Sequence, residues 1–274
     1  MMKHQKEERE QAADAQQNHL TPAEKAEIKV GGAVVPEETT PSPGLMRIDL
    51  HCHSQASHDC DTLLSSFPLR CQESNILVQA ITDHNEIWGA QQLKQMVANE
   101  FGSVNLSIII GEEISTSHGE LIGLFLQEKI AAGLSPEATV AHIKDQGGLV
   151  LLPHGFDPLK RYRLQPEARE RIRADIDIVE TFNARVSRPK WNRAAVDWAK
   201  VHHKLFSAGS DSHTFTDIGT AWVEAPRQKI ETPQELIAVL AEGGVPVGEW
   251  THPILAFLYK TSVQLTNRIK WRFT

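Results

Sequence analysis

The segment Asp49-Leu50-His51-Cys52-His53 directly follows a short apolar run that begins at Met46. Side chains of a β-strand alternate in direction, so the spacing predicts that His51 and His53 leave the strand on one face, with Cys52 pointing away. Two further segments of this kind follow apolar runs, Thr82-Asp83-His84-Asn85 and Ser210-Asp211-Ser212-His213. Imidazole and carboxylate ligands both suit Zn, Mn and Fe, so their recurrence at strand ends predicts a metal site.

Short apolar runs alternate with amphipathic stretches along most of the chain. Strands are expected at residues 46–51, 76–82, 106–110, 121–126, 149–152, 176–180, 205–207 and 220–223. Helices are expected at residues 62–73, 90–99, 135–146, 166–173, 190–202 and 233–242. This alternation predicts parallel strands joined by crossover helices. Polar residues follow nearly every strand, which favours a barrel with its site at the carboxyl ends of the strands. The motifs GxGxxG and GxxxxGK[ST], which would favour a nucleotide-binding sheet, follow none of the strands.

The composition narrows the class of protein. The chain has 274 residues, of which 41% are hydrophobic, and this is enough for one large domain. A net charge of −7 argues against a broad electrostatic groove for long nucleic acids, although local basic clusters can still bind a small phosphorylated substrate. Three cysteines without CxxC spacing disfavour a disulfide framework and suit a reducing compartment. Without an apolar stretch near the roughly 18 residues of a membrane span, a cytoplasmic protein away from membranes is expected.

The domain organisation follows from where breakers and apolar patterns fall. Residues 1–44 are polar or rich in glycine and proline, which predicts a disordered tail or linker. Residues 45–274 are expected to form one barrel domain. Within it, residues 243–274 are interpreted as a C-terminal packing segment with a helix at 253–267.

Five segments together closely resemble, in this order, the motifs of the PHP (polymerase and histidinol phosphatase) superfamily. They are DLHCHS at 49–54, ITDHN at 81–85, GEEIS at 111–115, LLPHGFD at 151–157 and AGSDSH at 208–213. The resemblance runs from about Met46 to Val223. It implies a distorted (βα)7 barrel similar to a TIM barrel, with metals at the C-terminal strand ends, and hydrolysis of phosphoesters.

The same resemblance implies a set of metal ligands. These are His51, His53, Asp59, His84, Glu113, Glu120, His154, Asp211 and His213. The family's spacing selects Asp59, although His58 is the neighbouring alternative. Glu120 stands where many relatives have a histidine, so it either replaces that ligand with an oxygen or weakens one metal position. Two or three divalent ions are therefore expected, with Zn, Mn or Fe favoured over Mg.

Arginines that follow strands are candidates to bind a phosphoryl group, because a guanidinium offers two parallel hydrogen bonds. Arg185 is the first candidate, since the family places a similar Asn-x-Arg there, and Arg161 is the second. Arg163 and Arg188 are further candidates. His213 or His154 is expected to protonate the leaving group if it is not fully committed as a ligand.

Carboxylates next to the ligand positions are predicted to have supporting roles. Glu112 and Glu113 should point in opposite directions in an extended segment, so only Glu113 is expected in the metal site. Asp49 and Asp83 immediately precede ligand positions and are candidates to orient imidazoles through their ring N–H groups.

These observations predict a metal-dependent phosphoester hydrolase, most simply a small-molecule phosphomonoesterase that uses a metal-activated water. Two alternatives stay open. One is phosphodiesterase or nuclease activity on nucleotides or nucleic-acid ends. The acidic net charge of the chain argues against long nucleic acids as substrates. The other is a metal-binding module without turnover, which Glu120 alone favours. The sequence leaves the oligomeric state open.

Overall fold

The computed structural model describes residues 44–100 and 105–251. The strands are β1 (Leu45–Asp49), β2 (Ile76–Ile81), β3 (Ser107–Thr116), β4 (Gly119–Leu124), β5 (Leu149–Leu152), β6 (Ile178–Asn183), β7 (Leu205–Gly209), β8 (Ala221–Pro226) and β9 (Val245–Gly248). The helices are α1 (Phe67–Glu73), α2 (Trp88–Glu100), α3 (Pro136–Asp145), α4 (Pro166–Arg171), α5 (Lys190–Val201) and α6 (Pro233–Gly243).

Local sequence explains where two of the outer helices begin. The hydroxyl of Ser135 accepts a hydrogen bond from the backbone N–H of Ala138, and Pro136 occupies the first turn of α3. Thr232 and Glu235 form a reciprocal capping box at the start of α6. Both helices therefore satisfy part of their unpaired N-terminal N–H groups without tertiary help.

All nine strands of the described chain form one sheet in the order β7-β6-β5-β4-β3-β2-β1-β8-β9. The segments that follow β1 and β7 also meet. The N–H of Leu50 donates to the carbonyl oxygen of Ala208 over 3.2 Å, and the N–H of Asp211 donates to that of His51 over 2.8 Å. The sheet therefore curls into a nearly closed barrel, which confirms the expected α/β barrel.

The expected run of parallel strands is wrong at two places. β4 pairs antiparallel with both β3 and β5, and β8 pairs antiparallel with β1 and β9. β3 does not end at Ile110 but continues to Thr116 and turns back tightly into β4. Gly119, with a φ of +120°, permits this turn because it has no Cβ.

Apolar side chains fill the space between the sheet and the outer helices. One core cluster joins β1, β8 and α6 and includes Met46, Ile48, Val223, Leu236 and Leu240. Another contains Cys52 with Phe67 and Cys71, so Cys52 is a buried core residue that points away from its two histidine neighbours, as predicted.

Some sequence predictions fall outside the described residues. They are the tail or linker at 1–44, except for its last residue, and the C-terminal helix at 253–267. None of the helices in the described ranges is both long and apolar enough to cross a lipid bilayer.

Candidate metal centre

The structure brings all nine candidate ligands into one cluster, which the segments after β1, β2, β5 and β7 form together with the β3–β4 hairpin. Eight of them are buried, and His84 is partly exposed at 13% of its side chain. Four overlapping groups of three donors have ligand atoms within 4.8 Å of one another. These groups are His53, His84 and His213; His51, His53 and Glu113; His51, His154 and Asp211; and His84, Glu113 and Glu120.

The centre of the cluster is formed by His51 and His53. Their Nε2 atoms lie 3.2 Å apart. Oε2 of Glu113 lies 3.4 Å from Nε2 of His51 and 3.3 Å from Nε2 of His53. Oδ1 of Asp211 is 3.9 Å and 3.6 Å from the same two nitrogens. Two nitrogens and two carboxylate oxygens thus face one point.

The protons of both central rings are engaged on the opposite side. Nδ1 of His51 lies 2.9 Å from Oε1 of Glu180, and an ionised carboxylate can only accept, so this nitrogen donates. Nδ1 of His53 lies 3.1 Å from the Ser57 hydroxyl, which itself donates to Oδ1 of Asp83 over 3.0 Å. The hydroxyl has one proton, so it accepts from His53.

When the rings of His51 and His53 are neutral, each Nε2 therefore carries a lone pair. These two lone pairs and the carboxylate oxygens of Glu113 and Asp211 all point toward the same place. Only protons or a cation can occupy such a point, so the donor set fits a divalent metal. Without a cation, the carboxylates hold protons on the rings. Burial lowers the pKa of His53, but hydrogen bonds that its ring donates to the carboxylates of Asp211 and Glu113 outweigh this effect and raise the pKa to about 9.

A second group of donors lies beside His53. Nε2 of His213 is 3.2 Å from Oδ2 of Asp59, and Nε2 of His84 is 3.7 Å from Oδ1 of Asp59. Burial lowers the pKa of His213 to about 3, with help from the positive charge of Arg185, so its ring is neutral and able to bind a metal. His58 is exposed, and its ring lies 5.4 Å from that of His84. Of the two neighbouring candidates, Asp59 lies in the cluster and His58 at its rim.

The hairpin of β3 and β4 supplies a third group. Ser115 pairs with Glu120 across the hairpin, and Ser115 shares a face with Glu113, so both carboxylates point to the same side. Nε2 of His154 is 2.9 Å from Oε1 of Glu113 and 3.9 Å from Oε2 of Glu120. Burial and the charge of Glu113 raise the pKa of Glu120 to about 10, so an ionised Glu120 requires a cation nearby.

Two cations border the cluster at Asp211. Nζ of Lys160 pairs with Oδ2 of Asp211. The guanidinium of Arg185 contacts Nδ1 of His213 and donates to the carbonyl oxygen of Asp211 over 2.8 Å. Arg161 lies elsewhere: it lines a separate cavity beside Glu120, and its guanidinium is 5.2 Å from the centre of the Tyr162 ring. Arg188 is exposed at the surface of the protein.

The supporting carboxylates differ from their predicted roles in one case. Asp83 reaches His53 through Ser57. Asp49 accepts from the backbone N–H of His51 over 3.2 Å, but the ring Nδ1 of His51 bonds to Glu180, so the predicted role of Asp49 was wrong. Asp49 instead accepts hydrogen bonds from the backbone N–H (3.1 Å) and hydroxyl (2.6 Å) of Ser210, and so joins the ends of β1 and β7. Glu112 and Glu113 do point to opposite sides: Glu112 accepts from the N–H of Ile130 over 2.8 Å.

Sequence reasoning missed Glu180, Ser57 and Lys160. Glu180 could have been found from the sequence, because a carboxylate at the end of a buried apolar strand is costly unless it forms a hydrogen bond or an ion pair. Ser57 and Lys160 stand in polar loops, where their residue types are ordinary and carry no signal.

Comparisons with known proteins agree with this geometry. Residues 189–245 match a family model described as PHP-associated. The chain is 34% identical over 198 residues to the uncharacterized protein MJ0417 of Methanocaldococcus jannaschii, which covers 70% of this chain and 75% of that protein. It is 42% identical over 150 residues to the uncharacterized protein MJ1587 of the same organism, covering 51% of this chain and 82% of that protein.

Solved structures of low sequence identity share the fold. A two-domain protein from Bacteroides vulgatus containing a predicted PHP-like metal-dependent phosphoesterase aligns with a TM-score of 0.60 and 16% identity, over 80% of this chain and 70% of that chain. The lesion-specific endonuclease PfuEndoQ from Pyrococcus furiosus aligns with a TM-score of 0.51 and 15% identity. The alignment covers 74% of this chain and 57% of that chain. A nearly closed α/β barrel with imidazoles and carboxylates clustered at one end is an arrangement that could hold metal ions. The chain belongs to the PHP superfamily.

Proposed function

We propose that this chain is a metal-dependent phosphomonoesterase that acts on small phosphorylated molecules. One observation carries the proposal. The Nε2 atoms of His51 and His53 converge with carboxylate oxygens of Glu113 and Asp211 while their Nδ1 protons are engaged elsewhere. A buried set of this kind is costly unless a cation compensates it.

The candidate ligands divide among three neighbouring positions. His51, His53, Glu113 and Asp211 would hold one ion; Asp59, His84 and His213 a second; and Glu113, Glu120 and His154 a third. Zn, Mn or Fe suits these mixed nitrogen and oxygen donors better than Mg. Divalent ions bound there would supply an activated water near neutral pH and neutralise charge on the phosphoryl oxygens.

The chain's own cations complete the proposed site. Lys160 and Arg185 both border Asp211, and one carboxylate does not need two cations, so the pair has charge available for a phosphoryl group. His154 or His213 would protonate the leaving group only if it is not fully committed as a metal ligand. Nδ1 of His154 is buried and makes no hydrogen bond within the described residues.

Cleavage of phosphodiesters in nucleotides or nucleic-acid ends is the second candidate. The fold shared with an endonuclease supports it, and the net charge of −7 weighs against it for long nucleic acids. A binding module without turnover is the third candidate. It would retain metal and hydrolyse no phosphoester.

Phosphate release from a panel of phosphomonoesters, with Mn, Zn or Fe added, tests the proposal. The His51→Ala/His53→Ala variant should lose activity, while His142→Ala, an exposed histidine on α3, should keep it. Shortening of single-stranded DNA without phosphate release from monoesters would favour the second candidate. Full activity after chelation, or in the double variant, would overturn the proposal.

A further inference from the structure

A second cavity adjoins the metal cluster through Glu120. It has a volume of about 320 Å³ and lies between the β3–β4 turn and the loop that follows β5. Its lining includes His118, Glu120, Arg161, Tyr162 and Arg163. The volume is at the lower end of the range for small-molecule sites, roughly 300–1,000 Å³.

Backbone hydrogen bonds hold the two walls of this cavity together. The N–H of Glu120 donates to the carbonyl oxygen of Tyr162 over 2.7 Å, and the N–H of Gln165 donates to that of His118 over 2.8 Å. The walls also approach closely at Gly119, where a Cβ would overlap the carbonyl oxygen of Arg163. Backbone fixed by these contacts therefore forms two sides of the cavity.

The arginines of this cavity differ from those that follow them in sequence. Arg161 and Arg163 have no carboxylate partner among the described residues. The next three arginines are each paired: Arg169 with Glu170, Arg171 with Glu137, and Arg173 with Glu170. Two unpaired guanidiniums beside a site for anionic substrates have charge available for an anion.

We propose that this cavity binds a second anionic group of the substrate, a phosphate or a carboxylate, while the phosphoryl group that reacts lies at the metal cluster. The proposal rests on the proposed phosphomonoesterase function. Glu120 belongs both to the metal cluster and to the lining of this cavity. A substrate that reaches from one to the other would therefore lie beside the Glu120 side chain. Arg161 and Arg163 would each offer the oxyanion a fork of N–H donors, and this chemistry is shared by phosphates and carboxylates.

This role also explains the position of Arg161. Its guanidinium packs against the exposed ring of Tyr162 instead of entering the cluster. The ring limits the directions in which the guanidinium can point. Arg161 then determines which substrates bind, and the reacting phosphate is left to Lys160 and Arg185.

Matched substrates test the proposal on the full, metal-loaded chain. Glycerol 1-phosphate carries one anionic group, 3-phosphoglycerate adds a carboxylate, and 2,3-bisphosphoglycerate adds a second phosphate as well. The wild type should have a lower KM for at least one of the two compounds with added charge. Arg161→Ala/Arg163→Ala should raise that KM about tenfold or more, with kcat and the KM for glycerol 1-phosphate unchanged.

The control variant is Arg171→Ala/Arg173→Ala, which removes the same charge from exposed arginines at the end of α4 and should change neither KM. Arg161→Lys/Arg163→Lys should restore part of the preference, because charge is kept while the fork is lost. Equal KM increases for all three substrates would overturn the proposal, as would no preference in the wild type.

Calorimetry separates this proposal from the phosphomonoesterase function. If the chain releases phosphate from none of the three compounds, the function fails but binding can still be measured. Tighter binding of 3-phosphoglycerate or 2,3-bisphosphoglycerate than of glycerol 1-phosphate, lost in the alanine double variant, would support the second anion site. Equal binding of all three would overturn it.

Discussion

Glu180 fixes two histidines of the cluster at once. Its Oε1 accepts a hydrogen bond from Nδ1 of His51 over 2.9 Å, and its Oε2 accepts one from the backbone N–H of His154 over 2.6 Å. It also accepts from the amide of Asn183 over 3.0 Å. A Cβ at Gly209 would overlap both Glu180 and His51, so only glycine leaves room for this contact.

Replacing Glu180 with glutamine should weaken metal binding about 10- to 100-fold. The neutral amide no longer polarises the imidazole of His51, and it no longer fixes the tautomer that presents Nε2. Competition against a metal-binding dye measures this loss. Glu137→Gln, on the exposed start of α3, is the matched control. Equal affinity in the two variants would contradict the role of Glu180.

Ser57→Ala should destabilise the fold by about 1–3 kcal/mol, because it leaves buried polar groups without partners. The hydroxyl serves His53, Asp83 and the backbone N–H of His84 together. Urea unfolding of the variant, beside that of Ser66→Ala at an exposed hydroxyl, measures the difference. A loss no larger than that of the exposed variant would show that the hydroxyl is dispensable.

Lys160→Met should lower kcat/KM for phosphomonoesters about 10- to 100-fold if Lys160 binds the phosphoryl group. Lys144→Met is a close control, because Lys144 also pairs with an aspartate, Asp177, on the outside of the barrel. Steady-state kinetics of both variants at saturating metal provide the measurement. Unchanged kcat/KM in Lys160→Met would exclude it from phosphate binding.

Glu112 should make stability depend on pH. Burial raises its pKa from 4.5 to about 7, so between these values the folded chain holds a proton that the unfolded chain has lost. The free energy of unfolding should therefore fall as pH rises from 4.5 to 7. Glu112→Gln removes this dependence.

Relative to wild type, the glutamine variant should gain about 1–2 kcal/mol between pH 5 and pH 8. Urea unfolding at the two pH values, with the same metal content, measures the gain. A difference between variant and wild type that is constant with pH would show that Glu112 does not titrate in this range.

The sequence predicted the barrel class because apolar runs alternate with amphipathic stretches along most of the chain. It failed at β3, where Gly111-Glu112-Glu113 interrupts the apolar run and imitates a loop, although the hairpin buries both carboxylates. β9 was missed because Val245-Pro246-Val247-Gly248 contains two residues that are rare in strands.

Most candidate ligands were predictable because they follow apolar runs, whereas Glu120 and the choice of Asp59 over His58 came from the resemblance to the PHP motifs. The residues that orient them were not predictable, since contacts such as Ser57 with Asp83 depend on how two loops fold together. Lys160 is an ordinary loop lysine in sequence, and only the path of its loop brings it to Asp211.

The contact between Asp49 and Ser210 has a consequence for how the protein folds. These residues are 161 positions apart, so closure of the barrel between the first and seventh strands depends on a contact of very long range in sequence. The metal ligands straddle the same seam, with His51 on one side and Asp211 on the other. An ion bound to ligands from both sides would therefore stabilise the contact between the first and seventh strands, and its binding free energy would add to the free energy of folding. During synthesis, a nascent chain has no complete site until His213 has left the ribosome.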